Sequence, residues 1–471
     1  MSGMENVTKE YIAELIQRAK KAQNAAERYT QEEVRRIANC IGWLAYNKAR
    51  EWAEFNFAET GMGDIQSKVN RTTSRAKGMV KDLSGAKTVG VIETDEEKQL
   101  IKIAKPVGVI GALIPTTVPM GVVFIGAMNS IMGRNAMICS PHPRAKESTK
   151  RAVEDIRRLF KNIGAPEDLL ICIESPSLLK TDELMKQCDL IIATGGAAMV
   201  KAAYSSGTPA FGVGAGNVAV VIDETADIKD AAEKVMRAQL NDLAIGCSTE
   251  NSVVIQEGIY DDTIKAMVET GAYVCNSEEK AKLQKTLWVN GHLNQEVIVK
   301  PAAFIAKAAG IDMPEGRTWI IVEETGFGPE FPFSGEKLSV VVTAYKYKTF
   351  DDAIKVVNDI QSYSGAGHSC GIHSFDEGHI MKFATETRTC RVAVRMTVGM
   401  SNAGNWNNGM PWTINLGCGS WGGNITSDNV TYKNYINTTW VAREIPNFKV
   451  PTDEETFGSV MNEKQAFEGL L

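Results

Sequence analysis

The stretch VGVIGALIPTTVPMGVVFIGAMNSIMG, residues 107–133, carries no charged side chain. An uncharged run of that length is long enough to span a bilayer. It is interrupted by Pro115 and Pro119 and is rich in Gly, Thr and Asn, so it reads as a buried strand (VGVIGALIP), a turn (TTVP) and a buried helix over 121–132. The same unit then recurs. AMICSPHPRA is the next strand and its turn, and AKESTKRAVEDIRRLFKNIG is the next helix. DLLICIE, a helix near 178–187, DLIIATGG and a helix over 197–205 continue the alternation. Such repetition predicts an α/β fold, a parallel sheet with helices on both faces, in which ligands bind at the carboxyl ends of the strands.

Those ends carry the informative residues. At Thr194, Gly195 and Gly196 a strand stops and a helix begins, so small residues would let a ligand reach free backbone N–H groups at a helix N-terminus. Ser140, His142, Pro143 and Arg144 offer a hydroxyl, an imidazole and a guanidinium at a second strand end. Both sites suit a phosphate-bearing nucleotide, and both also read as plain tight turns. Gly212, Gly214 and Gly216 resemble part of a GxGxxG fingerprint, but the strand VAVVID follows where that motif needs a helix.

Upstream, 8–50 reads as two helices, the second opened by a Thr30/Glu33 capping box. VGVIET and QLIKIA around the turn DEEK predict a hairpin that could reach another subunit. Downstream, a Gly-Cys-Ser turn places Cys247 between a helical pattern and a β-branched run. Junctions display reactive side chains, yet free Cys is also among the most buried residue types, so the local residues leave both a nucleophile and a packed thiol open. Further on come Glu336 in GEKLS, His368 in AGHSCGIHS, Arg391 and Arg395 in RVAVRM, and the amide-rich loop SNAGNWNNGMPWT.

The chain has 471 residues, enough for two or three domains, and a formal charge of −6, which leaves no basic surplus for nucleic acid. Its nine scattered cysteines form no CxxC pair, and the first residues contain no apolar stretch typical of a signal peptide. A reduced, cytoplasmic protein is expected, with no membrane partner. No metal is expected either, since the five histidines show no ligand spacing. In the tail, 451–471, Phe457, Val460, Met461, Phe467, Leu470 and Leu471 recur at roughly helical spacing. That pattern fits a helix docking on a partner or a bacterial microcompartment shell, or else a frayed terminus or a helix packed on its own subunit.

PVGVIGALIPTTVP, SPHPRAK, the 190–228 segment from LIIATGG to ETADI, the Cys247 segment, EKLS, GHS and LGCGSWGGN, in this order, resemble the CoA-acylating branch of the aldehyde dehydrogenases over about residues 10–445. The resemblance implies two α/β lobes with parallel-rich sheets plus a small β oligomerisation arm. It places an NAD(P)-binding domain at 1–88 and 106–221, a catalytic domain at 222–428, and the arm at 89–105 and 429–450. It makes Cys247 the nucleophile that forms a thioester, with Pro115, Thr116, Thr117, Thr194, Gly195, Gly196 and Gly214 along the nicotinamide cofactor. Ser140, His142, Pro143 and Arg144 would hold the adenosine end, and Glu336 would accept from a ribose. NAD or NADP and coenzyme A are the implied cofactor and cosubstrate, and a homodimer or larger homo-oligomer the implied assembly. His368 either assists CoA or is a structural turn histidine.

One departure matters chemically. Where hydrolytic relatives carry a glutamate base, alignment on VVID puts Val213, which disfavours water and favours a thiol acceptor. Arg395, Thr397 and Asn402 stand where many relatives have an Asn-Thr-Pro-like sequence, and a guanidinium with amides suits a carboxylate or sulfonate. The expectation is a small anionic aldehyde resembling sulfoacetaldehyde, with acetaldehyde or another neutral aldehyde second. Arg395 as an ordinary ion-paired residue stays open. From another class, a non-redox acyltransferase or a scaffold subunit would bind CoA without reducing nicotinamide.

Overall fold

A computed structural model describes residues 3–463, 465–468 and 470. Three helices come first: α1 (Gly3–Ala26), α2 (Gln31–Thr60) and α3 (Ile65–Ser84). The capping box of α2 forms as read, Thr30 Oγ1 accepting from the Glu33 N–H at 3.2 Å and the Glu33 carboxylate from the Thr30 N–H at 2.7 Å. A hairpin, β1 (Gly90–Asp95) and β2 (Leu100–Pro106), leads into the alternating region. There follow β3 (Val109–Ile114), α4 (Pro119–Met132), β4 (Ala136–Pro141), α5 (Lys146–Ile163), β5 (Leu170–Cys172), α6 (Leu178–Gln187), β6 (Leu190–Thr194), α7 (Ala197–Tyr204) and β7 (Ala210–Val213).

The uncharged 107–133 run is thus β3 and α4, buried along nearly their whole length. Among the described residues no helix is long and apolar enough to cross a membrane. The five strands lie parallel in the order β5-β4-β3-β6-β7, so the sequence order reverses between β3 and β6 and opens a crevice at their carboxyl ends.

A second sheet takes β8 (Val218–Ile222), α8 (Ile228–Leu240), β9 (Glu250–Gln256), α9 (Tyr260–Glu269), β10 (Ala272–Val274) and α10 (Ser277–Leu287). After a two-strand hairpin, β11 (Trp288–Val289) and β12 (His292–Leu293), come α11 (Ala302–Ala309), β13 (Trp319–Glu323), β14 (Val341–Tyr347), α12 (Phe350–Tyr363), β15 (Cys370–His373), α13 (Glu377–Glu386), β16 (Val392–Val394) and α14 (Val398–Ser401). Seven parallel strands run β10-β13-β14-β9-β8-β15-β16, with one apolar core around Trp319 and Phe333 and another around Tyr345 and Phe383. Finally β17 (Ile436–Ala442) pairs antiparallel with β2, giving a three-stranded arm in the order β1-β2-β17.

Two expectations change. The strand VAVVI belongs to the second sheet, so the crossover between lobes is at 214–217, and a boundary after 221 would cut β8. Trp412, Ile414, Val430 and Tyr435 also pack in the first lobe's core, because the chain returns there before the arm. In the tail, helix α15 (Asp453–Phe457) spans one turn and a half before turns take over, which is nearer to the frayed terminus than to a docking helix; Phe457, Val460, Met461, Phe467 and Leu470 are exposed, and Leu471 lies outside the described residues.

Candidate active site

The Cys247 turn is built by strain. Asp242, Leu243 and Ala244 all have positive φ (53°, 54° and 58°), a conformation that costs about 1–3 kcal/mol per residue and needs outside support. Asp242 supplies it. Its fully buried carboxylate accepts from the Asp64 N–H at 2.6 Å and pairs with Lys68 at 3.1 Å and Arg71 at 2.7 Å, both on α3. The chain so reversed delivers Cys247 just before the amino end of β9.

The crossover between the lobes runs against this turn. A Cβ on Gly216 would stand 1.7 Å from the Cys247 carbonyl oxygen, so only glycine fits. A Cβ on Gly367, at φ 78°, would likewise stand 1.8 Å from the Cys418 carbonyl oxygen, and this glycine begins the loop that carries His368. Four segments therefore meet at the thiol: 214–217, 246–249, 365–369 and 417–422.

His368 Nε2 lies 3.2 Å from Cys247 Sγ, and Nδ1 lies 2.9 Å from Ser369 Oγ. Burial and the nearby Arg391 push the imidazole down to about 3. Burial, with Glu336 and Cys418 adding to it, pushes the Cys247 thiol up to about 12, while Arg75 and the residue's own N–H pull the other way. The resting pair is neutral thiol and neutral imidazole. Arg391 fixes the histidine from behind: its guanidinium donates to the carbonyls of His368 (2.8 Å), Gly417 (2.7 Å) and Ser427 (3.1 Å) and to Asn429 Oδ1 (2.7 Å).

Glu336 accepts from the Gly216 N–H at 3.3 Å, and burial raises its carboxyl to about 8. Its neighbour Lys337 is fully buried, donates to the carbonyls of Phe333 and Gly335, and is pushed down to about 7 by burial. Val213 is buried at the end of β7 and offers no base.

At the first sheet's carboxyl edge, Pro115, Thr116 and Thr117 follow β3 and the segment at Thr194, Gly195 and Gly196 follows β6, the strands on either side of the crevice. Gly196 and Gly214 face open space, and Gly196 precedes the N-terminus of α7, so the backbone there fits an approaching dinucleotide. Thr194 Oγ1 donates to Asn415 Oδ1 at 2.6 Å. His142, Pro143 and Arg144 are exposed beyond β4, with Arg144 donating to Gln295 at 3.0 Å. Ser140 is a correction. Its hydroxyl is buried and bonded to Thr181 Oγ1 at 2.8 Å, because strand alternation turns it into the α6 packing.

Arg395 is a second correction. Cys247 and His368 precede the amino ends of β9 and β15, whereas Arg395 follows the carboxyl end of β16, and these strands are parallel. At about 3.3 Å per strand residue, the four residues of β15 alone put the two ends about 10 Å apart. The guanidinium donates to the Ser374 carbonyl at 2.6 Å and sits 4.5 Å from the Phe375 ring centroid. Thr397 precedes α14, and its carbonyl accepts from Ser401 Oγ at 2.7 Å. Asn402 is buried behind Arg391, its carbonyl accepting from Asn429 Nδ2 at 3.0 Å. The loop amides mostly hold the loop itself, as when Asn405 donates to the Met400 carbonyl.

Spacing along the chain misses one trio: ligand atoms of Asp223, Glu224 and His379 lie within 4.8 Å of one another. Asp223 there already accepts from His379 Nδ1 at 3.0 Å and from Thr225.

A model of the aldehyde dehydrogenase family matches residues 1–284. The chain belongs to that family. Among its relatives, the sulfoacetaldehyde dehydrogenase of Acholeplasma sp is 44% identical over 97% of this chain and 95% of its own length. The succinate-semialdehyde dehydrogenase (acetylating) of Clostridium kluyveri is 38% identical over 95% of this chain and 99% of its own. An acetylating aldehyde dehydrogenase from Geobacillus thermoglucosidasius, of solved structure, superposes with a TM-score of 0.90 at 34% identity, covering 96% of this chain and all of that one.

Within this aldehyde dehydrogenase fold, Asp242 and Arg75 escape sequence reading, and Arg391 is noticed there without a role. Asp242 and Arg391 act through buried contacts that no local motif signals. Arg75 lies on α3, where Arg71 and Arg75 share one face at i, i+4 spacing, which was a usable cue.

Proposed function

We propose that this chain is an NAD(P)-dependent, CoA-acylating aldehyde dehydrogenase that oxidises a small anionic aldehyde to its acyl-CoA. The observation that carries the chemistry is the 3.2 Å approach of His368 Nε2 to the Cys247 thiol at the junction of the lobes. The relatives named for sulfoacetaldehyde and succinate semialdehyde support the substrate class.

The Cys247 sulfur forms a bond to the aldehyde carbon while its proton passes to His368 Nε2. The tautomer that allows this has Nδ1–H donating to Ser369 Oγ. Neither ion is stable alone in so dry a site, so the proton leaves sulfur as the C–S bond forms. NAD(P)+, when bound, supplies the hydride acceptor that turns the adduct into a thioester. Gly195, Gly196 and Gly214 would line it, with Glu336 at a ribose and His142 and Arg144 toward the adenosine end. Loss of the proton to solvent frees His368 to take the CoA thiol proton; the CoA sulfur then displaces Cys247, which recovers a proton from the imidazolium. With Val213 in the hydrolytic base's place and Glu336 engaged by the Gly216 N–H, water is poorly activated.

The β1-β2-β17 arm is the element we assign to joining subunits, and the nine free thiols fit a reducing cytoplasm. Incubation with sulfoacetaldehyde, CoA and either dinucleotide should give reduced nicotinamide and acyl-CoA in equal amounts, and neither product when CoA is left out beyond one turnover. Free acid as the steady product would overturn the thiol-acceptor reading.

A further inference from the structure

Helix α3 presents three cations, Lys68, Arg71 and Arg75, to one narrow cavity closed by α2 and by the start of α4. Two of them are engaged. Lys68 and Arg71 both pair with Asp242, the residue that holds the strained turn ahead of Cys247. Asp242, with Asp64 also acting on Lys68, thus answers two of the three positive charges, and Arg75 is left over. It is half-buried and makes no hydrogen bond or ion pair among the described residues, although its charge is felt at the Cys247 thiol.

The other wall of the cavity is electropositive as well. Helix α4 opens with Val118 at its cap, with no side chain accepting there, and Pro119 at its first position. The first bonded amide is Val122, to the Val118 carbonyl, so the Met120 and Gly121 N–H groups are unpaired where they border the cavity. A guanidinium with no protein partner and two free amides thus border the same cavity, a donor set that suits an anion. Burial and the Arg71 charge push Arg75 down to about 9, a penalty that a bound anion would relieve. The side that Arg395 was expected to serve is the wrong side of the second sheet; this cavity is on the thiol's side.

We propose that Arg75, beside Arg71 and the N-terminus of α4, is the pole that binds the sulfonate or carboxylate of the substrate and so aims its aldehyde carbon at Cys247. This assignment rests on the aldehyde dehydrogenase reading above, and its test separates the two. The planar fork of an arginine matches the oxygens of either anion, and the acceptor must be small because the cavity is narrow.

Arg75→Met and Arg75→Lys would be compared with the wild-type enzyme using sulfoacetaldehyde, succinic semialdehyde and propionaldehyde. The ratio of kcat/KM for an anionic aldehyde to that for propionaldehyde should fall about 30-fold in Arg75→Met, chiefly through KM, and recover partly in Arg75→Lys. An equal loss on all three aldehydes would overturn the assignment. A second readout needs no turnover. Isethionate, an unreactive sulfonate, should slow alkylation of Cys247 by iodoacetamide in the wild type and not in Arg75→Met, while propanol protects neither. Absence of protection in the wild type also overturns it. If isethionate protects but no aldehyde is oxidised, the anion site stands and the dehydrogenase reading fails.

Discussion

His368 Nε2 and Cys247 Sγ stand 3.2 Å apart with both groups held neutral, so in the proposed mechanism the histidine would act on the proton of an un-ionised thiol rather than share a standing ion pair. Replacing Cys247 by Ser should abolish acyl-CoA formation. Replacing His368 by Ala should lower kcat by about 10²–10⁴-fold, the usual range for loss of a general base, with the nucleotide Kd unchanged. Steady-state kinetics and nucleotide titration of the two variants check this; a His368→Ala enzyme of near-normal kcat would make the histidine structural.

The same neutrality sets the pH response of the thiol. With Cys247 pushed up to about 12, the thiolate fraction of the free enzyme should grow tenfold per pH unit across the accessible alkaline range. Iodoacetamide alkylation, followed by mass spectrometry of the Cys247 peptide, should rise log-linearly from pH 7 to about 10. A plateau near neutrality would instead reveal a thiolate–imidazolium pair.

Much of the first lobe was legible because hydrophobic periodicity and turn residues are local: the helix expected near 178–187 is α6, and the strand ends at Thr194 and Pro115 border one crevice. Residue 395 shows where locality fails. An arginine after a strand reads the same whichever edge of the sheet it reaches, and only the parallel pairing of β15 with β16 puts it on the edge away from Cys247. Ser140 fails for a related reason, since alternation along a buried strand decides whether a hydroxyl faces the ligand or the neighbouring helix. Asp242 and Arg75 were invisible because their meaning comes from partners distant in sequence, present for one and missing for the other.

Arg395→Ala should therefore leave catalysis alone. The variant removes a hydrogen bond to the Ser374 carbonyl and a stacking contact on exposed Phe375, worth about 1 kcal/mol of stability. Its kcat/KM should stay within about twofold of wild type for anionic and neutral aldehydes alike, well below the effect of losing a charge-reading contact. A selective loss on anionic aldehydes would restore Arg395 to the substrate site.

Buried His368 also makes stability pH-dependent. Its folded value of about 3 lies below the ordinary 6.5, so between those values the unfolded chain binds a proton that the folded protein refuses. Stability from this group is complete above about 6.5 and is lost as the pH falls toward 3. His368→Gln, an uncharged amide, carries no such dependence. The difference in Tm between wild type and His368→Gln should shift against the wild type on acidification from pH 7 to pH 4, measured by calorimetry; a constant difference would mean the imidazole is not held neutral.

Gly216 and Gly214 make a matched pair of tests in the crossover. A methyl on Gly216 would stand 1.7 Å from the Cys247 carbonyl oxygen, a backbone atom that cannot swing aside, so the Cys247 turn or the crossover itself must move. A displacement of about 1 Å at a reacting group costs on the order of 100-fold in rate, and Gly216→Ala should lose at least that much kcat while still folding. On Gly214 the same methyl meets nothing within 4 Å of its own chain. Gly214→Ala should therefore keep the wild-type Tm and Cys247 reactivity and raise only the KM for the dinucleotide, whose path it would narrow. Equal kinetic damage from both variants would show that the crossover tolerates no added bulk anywhere, and the thiol would lose its claim to the tighter half.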